Sequence, residues 1–77
     1  MQPIEFVLSG EYVELCHLLK FVGLADSGGR GKTMVAEGLV NVDGELETRK
    51  TAKIRAGQVV DCQVNSNEFV RILIKGA

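Results

Sequence analysis

Two short segments concentrate the cations of this 77-residue chain. Residues 27–33 read Ser-Gly-Gly-Arg-Gly-Lys-Thr, and residues 48–55 read Thr-Arg-Lys-Thr-Ala-Lys-Ile-Arg. Together they hold six of the nine basic residues, which are Arg30, Lys32, Arg49, Lys50, Lys53 and Arg55. Lysine and arginine neutralise phosphates and form hydrogen bonds with their oxygens. The two segments therefore predict a surface that follows a phosphate backbone, with these six residues and Ser27 as candidate contacts.

The first segment has a second means of attracting an anion, because it stands where a helix is expected to begin. Asp26 or Ser27 is the predicted N-cap, and Gly38 is typical of the position that follows a helix. At a helix start several backbone N–H groups lack partners within the helix, and the helix dipole favours negative charge. Gly31 lies inside this predicted helix, where alanine is the better helix former, so Gly31→Ala is expected to be tolerated.

The elements that position these segments follow from hydrophobic periodicity and turn residues. Alternation at residues 4–8 predicts a strand, and the spacing of apolar residues over 12–22 predicts a short amphipathic helix that ends at Gly23. Asp43-Gly44 between two short apolar segments predicts a hairpin, and residues 60–64 and 69–74 predict two further strands. This order predicts an α+β fold, with two short helices packed on one side of a small, mostly antiparallel sheet.

Size and charge restrict the function. A chain of 77 residues is expected to form one domain over 1–77, with little volume for an enclosed active site. The net charge is −1, but residues 30–55 carry six basic and four acidic residues, an excess of +2, whereas the rest of the chain carries an excess of −3. Affinity for a nucleic acid would therefore depend on how charge is segregated over the surface.

The cysteines and the chain start favour a cytoplasmic protein without cofactors. Cys16 and Cys62 are expected to be reduced thiols in the core, and no other residues supply the spacing of a zinc site. The first residues lack the cationic and apolar regions of a signal peptide, and no apolar run is long enough to span a membrane.

An enzymatic function has one superficial argument in its favour. Residues 26–33 read D-x-x-x-x-G-K-T, which differs at the first position from the phosphate-binding loop of nucleotide hydrolases. Asp26 would put a carboxylate beside the phosphates, and the preceding residues resemble a helix end rather than a buried strand. His17 has no predicted carboxylate or serine partner and is given no role. The sequence thus predicts a protein that is not an enzyme.

Two other interpretations of the cations remain open. In the first, the basic residues are ordinary solvated charges and Gly31 only allows the two helices to approach closely. In the second, the chain is a protein-interaction module that binds a partner through the basic surface or through an acidic first helix bearing Glu11 and Glu14.

The order of the motifs adds a family resemblance. The positions that carry it are Leu15, Leu18, Gly23-Leu24, Ser27, Lys32, Gly38, the Val-x-Val-Asp-Gly of 40–44, the Thr-Arg-Lys of 48–50 and the Gly-Gln-Val-Val of 57–60. This register resembles the RNA-binding domain first named from ribosomal protein S4 (the alpha-L motif), and most of all its small stand-alone bacterial members. The resemblance covers about residues 11–64.

The resemblance implies non-catalytic binding of structured RNA, commonly ribosomal or transfer RNA. We also expect a role on the ribosome or in translation, and a monomer. On the matching positions it implies RNA contacts by Ser27, Lys32, Arg49 and Lys50. Arg30, Lys53 and Arg55 are added on electrostatic grounds alone. Many members have an arginine directly after the serine, whereas this chain has Gly28.

The aromatic residues lie outside the basic segments. Phe6, Phe21 and Phe69 occur in apolar patterns and are expected in the core. Stacking of unpaired bases is therefore not the expected mode, and recognition of folded RNA by its shape and backbone fits the sequence better.

Overall fold

A computed structural model describes residues 3–76 and contains two helices and seven strands within that range. The elements in chain order are β1 (Ile4–Val7), β2 (Val13–Glu14), α1 (Leu15–Phe21), α2 (Gly28–Ala36), β3 (Val40–Val42), β4 (Glu45–Leu46), β5 (Lys53–Ile54), β6 (Val59–Asn65) and β7 (Glu68–Lys75). Five strands form a sheet in the order β1-β7-β6-β3-β4, and β2 pairs with β5 in a separate two-stranded ladder. Only the β1–β7 pair of these ladders is parallel.

The core lies between the helices and one face of the large sheet. Alternate residues of β6 and β7, including Val60, Cys62 and Ile72, point to this face because side chains alternate along a strand. The buried side chains of α1 and α2, among them Leu18 and Val35, pack in the same cluster. The predicted α+β fold, with two helices on a mostly antiparallel sheet, is confirmed.

The hairpin between β3 and β4 has the predicted turn. Asp43 and Gly44 both have positive φ angles, 52° and 85°, as a type I′ turn requires. The Asp43 carboxylate also accepts hydrogen bonds from the backbone N–H of Val59 (2.9 Å) and from the side chain of Gln58 (3.1 Å). These two bonds hold the pKa of Asp43 below its usual range, and the bond from Val59 has the larger effect.

The first helix begins later than the sequence predicts. Helix α1 starts at Leu15 rather than near Tyr12, because Val13 and Glu14 pair with Ile54 and Lys53 in the small ladder. Glu14 is the N-cap residue and Glu11 lies outside the helix altogether, so the prediction of an acidic first helix is wrong.

Cys16 and Cys62 are free and buried, and burial raises the pKa of the Cys62 thiol. No helix within residues 3–76 has the length and apolarity needed to cross a membrane.

Candidate nucleic-acid interface

The start of α2 is formed by the first basic segment. Ser27, and not Asp26, is the N-cap, and its Oγ accepts a hydrogen bond from the backbone N–H of Arg30 at 3.0 Å. The Thr33 hydroxyl donates to the carbonyl oxygen of Gly29 at 3.1 Å, four residues earlier in the same helix. The Ser27 side chain thus has a structural role at this helix start, while the first N–H groups of the helix have no partners within it.

The second basic segment is attached to the start of α1 through its main chain. The backbone N–H of Leu15 donates to the carbonyl oxygen of Ala52 (2.9 Å), and that of Cys16 donates to the carbonyl oxygen of Lys50 (3.0 Å). Ala52 and Ile54 are buried, whereas Lys53, which lies between them, is exposed. The alternation directs the basic side chains of this segment to solvent.

The two basic segments meet at Cys16. The backbone N–H of Cys16 donates to the carbonyl oxygen of Lys50, and the carbonyl group of Cys16 lies directly against the backbone of Gly31 in α2. A Cβ at position 31 would overlap the Cys16 carbonyl oxygen and lie 3.1 Å from the carbonyl carbon. The expectation that Gly31→Ala is tolerated is therefore contradicted. Gly31 does allow the two helices to approach closely, and this does not decide whether the basic residues bind a ligand. Residues 27–32 and 49–55 are called the basic face below.

Ion pairs distinguish the cations of the basic face. Arg49 forms a two-pronged pair with Glu47, with its Nη2 at 2.9 Å from Oε2 and its Nε at 3.0 Å from Oε1. Arg30 lies 4.0 Å from the carboxylate of Glu37. The remaining cations have no carboxylate within 4.0 Å among residues 3–76; they are Lys32, Lys50, Lys53 and Arg55. These four have no ion pair among the described residues that would compete with a ligand.

From the pair of Glu47 with Arg49 we expect the stability of the fold to depend on pH in the acid range. Hydrogen bonds from the guanidinium and then the backbone N–H of Arg49 lower the pKa of Glu47 from 4.5 to about 2. Because the folded state lowers this pKa, the ionised Glu47 stabilises the fold fully above about pH 4.5, and this stabilisation is lost as the pH falls toward about 2.

We expect the free energy of unfolding, measured with urea, to decrease over this range less in Glu47→Gln than in the unsubstituted protein. The control Glu45→Gln removes a carboxylate from the same hairpin. Glu45 has no ion pair among residues 3–76. If this control flattens the pH profile equally, the pair has no special effect.

Two of the three phenylalanines do not lie where the sequence predicts. The side chains of Phe21 and Phe69 are 61% and 54% exposed, and Phe6 is half-buried at the edge of the core. Tyr12 is also exposed, with Lys53 Nζ 5.0 Å and Arg55 Cζ 5.7 Å from the centre of its ring. An aromatic ring therefore adjoins the basic face, so the reason given for excluding base stacking does not hold.

The spacing of residues along α1 could have indicated that one of these rings, that of Phe21, is exposed. Phe21 follows His17 by four residues in α1, and residues at this spacing lie on the same face of a helix. The polar His17 side chain is exposed, so Phe21 is exposed beside it, with the two ring centres 6.4 Å apart. The position of Tyr12 had no such signal, because it depends on the pairing of β2 with a distant strand.

Comparisons with known proteins agree with this fold. A family model described as the S4 domain matches residues 6–71. The chain belongs to the S4 domain family. This S4 domain is 51% identical over 59 residues to the "Putative RNA-binding protein YbcJ" of Escherichia coli (strain K12), a match that covers 77% of this chain and 84% of that protein.

A solved structure extends the likeness to three dimensions. The solution structure of YbcJ from E. coli, described as revealing an alfaL motif involved in RNA-binding, superposes with a TM-score of 0.65 at 42% identity. The match covers 95% of this chain and 90% of that one. The resemblance to the alpha-L motif is thus confirmed.

A relative of lower identity is a much larger protein. The chain is 34% identical over 64 residues to a tyrosine–tRNA ligase of Nitrosospira multiformis (strain ATCC 25196 / NCIMB 11849 / C 71). The match covers 83% of this chain but only 16% of that enzyme.

Proposed function

We propose that this S4 domain binds structured RNA, ribosomal or transfer RNA, without catalysing a reaction. The observation that carries the proposal is the meeting of the two basic segments at Cys16, which gathers four cations without carboxylate partners among residues 3–76. Two relatives add support, since one is named an RNA-binding protein and the other a tRNA ligase.

The basic face would hold the RNA mainly by its phosphates. Lys32, Lys50, Lys53 and Arg55 supply charge, and the first N–H groups of α2 supply hydrogen-bond donors and the positive end of a helix dipole. Arg30 and Arg49 retain donors beyond their ion pairs, and Ser27 retains its O–H. Binding by phosphate contacts and shape suits the A-form helices of folded RNA, because protein side chains cannot enter the deep, narrow major groove of such a helix.

The broader role belongs to the same proposal. A single domain over residues 1–77 would act as a monomer in the cytoplasm, with RNA as its partner, on the ribosome or elsewhere in translation. It would do so without a cofactor or a metal ion.

The salt dependence of binding tests the phosphate contacts. With about four phosphates neutralised, the logarithm of the association constant should fall with the logarithm of salt concentration with a slope of about −3 to −4. Fluorescence anisotropy of labelled total transfer RNA or ribosomal RNA fragments, titrated in increasing KCl, gives this slope. We expect Lys32→Ala to reduce its magnitude by about one unit and Lys20→Ala, outside the basic face, to leave it unchanged. A slope near zero would contradict the proposal.

The material that copurifies at low salt separates RNA binding from a protein-interaction module. The chain has one tyrosine and no tryptophan, so its own absorbance at 280 nm is weak and bound RNA would dominate the spectrum at 260 nm. A discrete acidic protein in place of RNA would favour the interaction module instead.

A further inference from the structure

A groove with aromatic walls lies beside the basic face. Its volume is about 300 Å³, and the residues that line it include Phe6, Tyr12, Glu14, His17 and Phe21. The rings of Phe6 and Phe21 are parallel, with centres 6.1 Å apart, and much of the Phe21 ring is open to solvent. This volume is at the lower end for sites that hold a small planar molecule.

The groove joins the basic face at two points. At one of them, the Tyr12 ring forms part of the groove wall and also contacts Lys53 and Arg55 of the basic face. At the other, a Cβ added to Gly28 at the start of α2 would lie 3.7 Å from Cδ2 of His17. A nucleotide chain held by the basic face would therefore pass the opening of the groove.

The lining of the groove favours a base over a phosphate. Glu14 lies in the groove, with its Oε1 3.6 Å from Nδ1 of His17. Its carboxylate repels phosphate but can accept hydrogen bonds from the N–H groups at the edge of a base. Aromatic faces attract planar rings, and unpaired bases of RNA commonly stack on Phe, Tyr and His. The cations for phosphate and the rings for a base thus occupy adjoining parts of one surface.

We infer that an unpaired base of the bound RNA enters this aromatic groove and stacks on Phe21 and Tyr12, while the basic face holds the neighbouring phosphates. This inference rests on the proposed function and deepens it. Phosphate contacts alone would recognise any RNA of suitable shape, whereas the groove selects an RNA that has an unpaired nucleotide beside its helix.

A pair of RNA hairpins tests the inference. One carries a single bulged guanosine in its stem, and the other carries an abasic residue at the same place, so that the two differ in one base while the phosphates are unchanged. We expect the protein to bind the bulged hairpin about tenfold more tightly, as the contribution of one base stacked on an aromatic ring allows. Tyr12 is the chain's one tyrosine and there is no tryptophan, so its fluorescence should be quenched by the bulged hairpin and not by the abasic one.

Two phenylalanine variants locate the effect. Phe21→Ala removes an exposed ring from the groove, and we expect it to bind both hairpins with the affinity that the unsubstituted protein has for the abasic one. Phe69→Ala removes a similarly exposed ring near Arg71, away from the groove, and should keep the tenfold preference. Equal loss of preference in both variants would overturn the inference, and thermal unfolding of each checks that its fold is intact.

The outcomes separate this inference from the proposed function. Equal, salt-dependent binding of both hairpins, with unchanged tyrosine fluorescence, would overturn the inference and leave the proposed function standing. Failure to bind either hairpin or total transfer RNA at low salt would overturn both. Guanosine monophosphate alone should not quench Tyr12 at micromolar concentration. If it does, the groove is a site for a free nucleotide and the inference is wrong.

Discussion

Reversing two charges of the basic face, by Lys32→Glu together with Lys50→Glu, is expected to weaken RNA binding by roughly a hundredfold or more. Each lysine lies in a different basic segment and has no ion pair among the described residues. Loss of each charge removes an attraction of about 1 kcal/mol toward a phosphate, and the new carboxylate adds a repulsion of similar size. Anisotropy titrations with labelled transfer RNA at fixed KCl measure the change.

The matched control changes the net charge equally, but at residues outside the two basic segments. Lys20→Glu together with Lys75→Glu also replaces two positive charges with two negative ones, near the end of α1 and at the end of β7. We expect its RNA affinity to stay within about threefold of the starting value. Thermal unfolding should change little in both variants, because exposed charges contribute little to stability. If both pairs weaken binding alike, no localised face exists.

Gly31→Ala is expected to lower the stability of the fold by about 2 kcal/mol, as overpacking at a close contact does. The added methyl group would overlap the Cys16 carbonyl group, which is main chain and cannot rotate away, so α1 and α2 must separate. In a domain of this size the melting temperature should fall by roughly 10 °C. RNA affinity should fall as well, because Cys16 also holds the second basic segment.

Gly29→Ala is the control on the same helix. A Cβ at position 29 would lie 3.8 Å from Ser27 Oγ, an ordinary contact. Alanine is the better helix former, so this variant should be as stable as the unsubstituted protein or slightly more so. Differential scanning calorimetry of the two variants compares them directly. Equal melting temperatures would show that the helices do not need glycine at position 31.

Local signals in the sequence were sufficient for much of the fold. Ser27 caps α2 and Asp43-Gly44 forms the hairpin turn, because each feature depends on residues within one turn of chain. The first helix was placed three residues too early, because its start depends on the pairing of Val13 with Ile54, about forty residues further along. Sequence alone gave no reason to expect that pairing.

The candidate site, like the fold, could be predicted from the sequence only in part. The clustering of the cations was visible in the sequence, but their joining through Cys16 and Gly31 depends on how two helices pack. The exposure of Phe21 was missed because an aromatic residue in an apolar pattern was assigned to the core. The RNA contacts of the individual basic residues remain a prediction.

Both basic segments are attached to Cys16, so the groups that support this surface differ from the groups that would contact a ligand. The bonds and contacts involved belong to the main chain at Cys16, Gly31 and Lys50, whereas the charged groups lie on side chains directed to solvent. We therefore expect a substitution at position 32, 50 or 53 to alter the ligand preference while the support is retained. Such a surface can diverge toward new RNA targets through single exposed substitutions, and libraries randomised at these positions should yield mostly folded proteins.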